Sequence, residues 1–222
     1  MPRKSALKEV KCLVASFKPV MLMQNDDPMK EAQNIEGLYR YVIELFNGIS
    51  RNESNGFSGK FDYSISLTPS RFLVYKKVSG KELTEKEYEE FMTAISIFQM
   101  IFIDENIYLT GNVSERTLII SKEGIIWGTD EEIDVNEISV CVEKTLADKY
   151  DKKYVALVAD KVIVDFLPMV YRFNTFKEEK GNMMRHIVNP INSVRKGNEE
   201  LLSNLITYCQ NYIQLKKFDL EL

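Results

Sequence analysis

The chain has 222 residues, 45% of them hydrophobic, enough for one large domain whose core needs no disulfide or metal staple. Its 29 basic and 33 acidic residues leave a net charge of −4, which argues against a general nucleic-acid binder, whose footprint is a basic excess. Cys12, Cys141 and Cys209 are odd in number and far apart, so neither a disulfide framework nor a zinc knuckle is implied.

Residues 1–9 read as a loose basic leader, and "KCLVASFKPVMLM" as a buried strand stopped near Pro19. "NDDPMKE" is a helix start: Asp26 or Asp27 caps, Pro28 takes the first helical position and Glu31 the first turn. The helix runs to about Gly48 on an apolar stripe of Ile35, Leu38, Tyr39, Val42, Ile43 and Phe46. A polar loop, "SRNESNGFSGK", leads to the strand "KFDYSISL". There Phe61, Tyr63, Ile65 and Leu67 alternate onto one face, and Asp62, Ser64 and Ser66 onto the other. Pro69 then either separates two strands or breaks the edge of one, and "RFLVYKKV" continues as strand.

Thr84 and Glu87 form a capping box that opens a long helix ending near Asp104. Its apolar run "ISIFQMIFI" falls well short of the about 20 residues of a membrane span. "IYLTGNVSERTLIIS" reads as a strand, a polar Gly-Asn element and a second strand; "KEG" turns the chain and "IIWG" is a further short strand. "DEEIDVNEISVCVEKTLADKY" reads as helix, with Ile138, Val142 and Leu146 four apart. "KKYVALVADKVIVDFLPMVY" is strand-rich and stops at Pro168; residues 177–217 are an amphipathic helical tail. The order predicts an α+β fold, a ferredoxin-like split βαβ palm over 10–170, with a C-terminal helical extension at 171–222. With no membrane span, the expectation is a cytoplasmic protein.

Familiar catalytic chemistry is missing. His186 is the single histidine and has no nucleophile signature beside it; there is no P-loop, no GxGxxG after a strand and no HExxH. The acids Asp130, Glu131, Glu132, Asp134 and Glu137 suit a helix N-terminus and lack the spacing of a calcium loop.

Three segments in order, "FDYSIS", "FQMIFIDENIYLTGNVS" and "IIWG", followed by the acidic segment and "KKYVALVADKVI", resemble the class III adenylate/guanylate cyclase-like domains. The resemblance is closest to the compact bacterial branch of pyrimidine cyclases in antiphage defence, and it covers about residues 10–165. It implies a cyclase-type palm with its active site at a dimer interface. It also implies two aspartates on adjacent strands holding two magnesium ions that activate a ribose hydroxyl against the α-phosphorus. This chain departs from that pattern. "LVASFKPVML" carries no acid; Tyr63 stands where the second aspartate belongs, with Asp62 one residue off; Thr110-Gly111-Asn112 replaces an Arg-Gly-Gly segment. The expectation is a degenerate cyclase-like protein with no catalytic residues and no cofactor. It binds nucleotide through Ser64, Ser66, Thr110, Asn112 and Arg116, with Arg71 a further charge, or serves as partner in a homodimer or a heterodimer with a related subunit. The alternatives are an unrelated protein-interaction module, or an active magnesium enzyme in which Asp62 turns inward to meet Asp26 or Asp27.

Overall fold

The computed structural model describes residues 7–21, 63–68, 71–104, 107–121, 126–127, 140–150, 152–158 and 161–166, and positions 29, 30, 33, 36, 37, 40, 43 and 44. Two long strands form its spine. β1 (Lys8–Met21) and β4 (Ile107–Ile120) pair antiparallel along their whole length, from Lys8↔Ile120 to Met21↔Ile107. On the other side of β1 lies β3 (Arg71–Lys77), also antiparallel, and beyond it β2 (Tyr63–Thr68). Thr68 pairs with Arg71, so β2 and β3 are two strands of a hairpin with Pro69 between them in sequence.

Beyond β4 the sheet continues through β6 (Val140–Val142), which runs parallel to it, then β8 (Lys161–Val164) and β7 (Val155–Val158). β5 (Ile126–Trp127) pairs with the end of β4. Among the described residues the order is β2-β3-β1-β4-β6-β8-β7, with β5 off that path. This is an α+β architecture on a mostly antiparallel sheet.

The helix α1 (Glu85–Asp104) joins β3 to β4. Its start is fixed by chemistry local to the sequence. Thr84 Oγ1 accepts from the Glu87 backbone N–H at 3.2 Å, and the Glu87 carboxylate accepts from the Thr84 N–H and hydroxyl at 3.0 and 2.8 Å. Ser79 adds two more donors to the same carboxylate, at 2.9 and 2.6 Å. Downstream, Tyr88, Phe91, Met92, Ile95, Phe98 and Phe102 recur at helical spacing and are all buried. They pack on Leu13, Ala15 and Phe17 of β1 and Phe72 and Val74 of β3. Phe98 stacks on Phe17 at 5.5 Å and meets Phe102 at 4.6 Å, while Phe102 tilts against Phe72 at 6.1 Å. Burying each such ring contributes about 1.5–3 kcal/mol. Tyr150 closes one end, stacked on Tyr88 at 4.7 Å with its hydroxyl donating to the Leu83 carbonyl at 2.7 Å.

Several sequence expectations are corrected. β1 begins at Lys8, inside the expected leader, and runs past Pro19 to Met21, because β4 supplies a partner at each step. The Gly-Asn element does not divide "IYLTGNVSERTLII", which is one strand. The helix expected across 130–150 is limited, among described residues, to α2 (Lys144–Lys149); Val140 and Val142 belong to β6, their burial following the period of two. "KKYVALVADKVIV" is a 3-10 turn (Lys152–Tyr154) followed by the β7–β8 hairpin. Described positions between 29 and 44 are helical, but Ile43, expected in the buried stripe, is 44% exposed on the side that carries the Glu36–Arg40 ion pair. The rest of that stripe and the tail at 171–222 lie outside the described residues. Among the described residues, no helix is long and apolar enough to cross a membrane.

Candidate functional site

Residues opposite one another in a ladder share a face of the sheet. One face carries Leu13, Ala15, Phe17, Phe72, Val74, Leu109 and Val113 into the core with α1. The second face carries Cys12, Val14, Leu73, Tyr75, Leu118 and Ile120, a buried cluster drawn from strands alone. A polar strip crosses this second face, and the register builds it rung by rung. The first rung sets Thr68 beside Arg71 and Thr110 beside Lys18; Arg71 precedes Phe72, the partner of Phe17, and so falls next to position 18. The next aligns Ser66, Leu73, Ser16, Asn112 and Cys141. Then come Ser64, Tyr75, Val14 and Ser114, and finally Lys77, Cys12 and Arg116. From Lys18 to Cys12 the strip spans about 20 Å at the usual strand rise.

Ser64, Ser66, Thr110, Asn112 and Arg116, two from β2 and three from β4, therefore occupy one face. Sequence reasoning missed Ser16, Ser114 and Lys18 on the same face. Their signal was available in the alternation: Cys12, Val14, Ser16 and Lys18 share a parity, as do Thr110, Asn112, Ser114 and Arg116. Thr110 and Ser114 are buried, and Ser16 is 2% exposed. The Ser16 hydroxyl has no hydrogen-bond partner among the described residues. Ser114 Oγ accepts from Arg116 Nε at 2.6 Å, which fixes the guanidinium against the strip.

The strands meet closely at this site. A Cβ on Gly111 would lie 2.0 Å from the Ser16 carbonyl oxygen and 3.0 Å from Phe17 Cα, both backbone atoms. Glycine is thus required for β1 and β4 to approach here. Beyond Val142, the Glu143 N–H donates to the Val113 carbonyl at 2.9 Å, which seats the start of α2 beside the strip.

Electrostatics set the site's character. Burial lowers the Arg116 pKa below its ordinary value; Glu143 opposes that, and the charge of Arg71 adds to it. Burial pushes the Cys12 thiol up to about 11, with Lys77 working against the shift, so this cysteine is poorly disposed to ionise.

Tyr63, which the resemblance sets at the second metal position, pairs with Lys76 and takes the register of the α1-packed face. Asp26, Asp27 and Asp62 lie outside the described residues, as do Gly128, His186 and the acidic cluster at 130–137. Among the described residues no three His, Cys, Asp or Glu side chains gather as a metal site. Among the described residues the strip's groups are hydroxyls, an amide, thiols, ammoniums and guanidiniums. That set does not fit magnesium, which takes carboxylates and phosphate oxygens at octahedral geometry. No protein-family model matches the chain, and no curated protein matches it.

Proposed function

We propose that the chain is a catalytically degenerate, class III cyclase-like protein of the cytoplasm, which binds a nucleotide on the second face of its sheet and acts through that binding. In this reading it works as a homodimer or beside a related subunit, in the manner of bacterial antiphage cyclases. One observation carries the proposal: Ser64, Ser66, Thr110, Asn112 and Arg116 share a face with the buried Ser16 and with Arg71, on the side of the sheet opposite α1. The strand order supports it as well. β1 lies between β3 and β4 and antiparallel to both, with β2 outside β3, an order in keeping with the split βαβ, ferredoxin-like palm of this reading.

The chemistry favours binding over turnover. Guanidiniums and hydroxyls hold phosphate oxygens, whereas nucleotidyl cyclisation also needs a group that activates the ribose hydroxyl. The test is to incubate the protein with each nucleoside triphosphate and Mg²⁺ or Mn²⁺ while measuring equilibrium binding. The proposal expects saturable binding of at least one nucleotide, intact substrate and no cyclic product. A cyclic product would mean an active enzyme, and no binding of any nucleotide would favour the protein-interaction module.

A further inference from the structure

We propose that the strip takes a phosphate chain directly, through guanidinium, hydroxyl and amide groups, without a divalent metal. The inference rests on the nucleotide-binding reading above and adds how the ligand is recognised.

Three independent features lead to it. The first is the sign of the face. In a chain of net charge −4, the register puts Lys18, Arg71, Lys77 and Arg116 on this face, with Glu143 beside it. The described strand acids Glu9 and Glu115 alternate to the other face, where Glu115 pairs with Lys11 at 2.5 Å; Asp62, which shares the parity of Ser64 and Ser66 in the sequence, lies outside the described residues. The second is Ser16. Its hydroxyl is buried at the middle of the strip, between Leu73 and Asn112, with no partner among the described residues. A buried donor left in that state is costly, and a ligand oxygen would satisfy it. The third is donor chemistry. Phosphate oxygens accept hydrogen bonds, and guanidinium and hydroxyl groups donate them, whereas a metal-bridged phosphate needs protein oxygens to hold the metal.

The cations stand at both ends of the strip and the short hydroxyls between them. An anion of several phosphoryl groups offers these donors more acceptor oxygens than a single phosphate does. A nucleotide's chain and a free polyphosphate offer the same chemistry, so the test separates them.

The intact protein is titrated calorimetrically with inorganic tripolyphosphate, ATP, UTP and the two free nucleosides, in EDTA and again in Mg²⁺. Tripolyphosphate and at least one nucleotide should bind in EDTA, and the nucleosides should not. Arg116→Gln should weaken that binding about tenfold or more. Ser16→Ala should weaken it severalfold while leaving the urea midpoint unchanged or higher, since it removes an unsatisfied hydroxyl. Nucleotide binding that requires Mg²⁺, or nucleosides binding as well as nucleotides, would overturn this inference and leave the nucleotide reading standing. No binding of any of these probes would overturn both.

Discussion

Glu87 ties the stability of the fold to pH. Burial opposes its charge, but donors from Ser79 and Thr84 outweigh that and bring its pKa from 4.5 down to about 2. The folded pKa is depressed, so the stabilisation is complete above about pH 4.5 and is lost as the pH falls towards about 2. Glu87→Gln should cost about 1–2 kcal/mol at pH 7, by loss of charge-assisted bonds at the cap. It should also flatten the acid limb of stability between those pH values; urea denaturation at pH 7, 4 and 3 checks both. Cys12 supports a second residue-scale prediction. Its thiol is buried and its pKa is pushed up to about 11, whereas Cys141 is half-buried. In a native-state alkylation time course at pH 8, followed by peptide mass spectrometry, Cys141 should be modified well before Cys12. Early labelling of Cys12 would show that the second face opens more readily than its packing implies.

At the scale of elements, the β1–β4 ladder governs the rest. Gly111 lets the two long strands close up beside Ser16 and Phe17, so Gly111→Ala should destabilise by about 1–3 kcal/mol through backbone displacement. It should also weaken any ligand held by Ser16 and Asn112. A variant as stable as the parent in urea would mean that β1 shifts at no cost. Helix α1 was legible in the sequence at both levels, because its capping box and its apolar stripe are local signals. The strands were legible as strands, but their lengths were not. In the sequence Gly111-Asn112 reads as a break in β4, since both residues disfavour strands, and only a fully paired neighbour across from them offsets that. The β6 segment reads as helix in the sequence because Val142 and Leu146 fit a helical spacing as well as a strand followed by a short helix. The same limit applied to the site. Ser64 and Ser66 could be set on one side of their strand from parity, but nothing in the sequence relates that parity to Ser16 or Asn112. That relation exists only through the cross-strand register.

At the scale of the whole molecule, the sheet divides two tasks between its faces. The α1 side supplies the main hydrophobic cluster, and the other side combines a smaller apolar cluster with the polar strip. Truncating a ring at the centre of the first, as in Phe98→Ala, should cost about 3–5 kcal/mol and lower stability without a specific effect on binding. Losses at the strip should show the reverse pattern, with affinity falling and stability held. The central claim is that a nucleotide sits on the second face. Photo-crosslinking with an azido-nucleoside triphosphate, mapped by peptide mass spectrometry, tests it most directly. The account predicts labelled peptides from β1 around Ser16, from the β2–β3 hairpin and from β4 around Asn112 and Arg116, all competed by unlabelled nucleotide. Competed labelling confined to α1 or to the β7–β8 hairpin would contradict it.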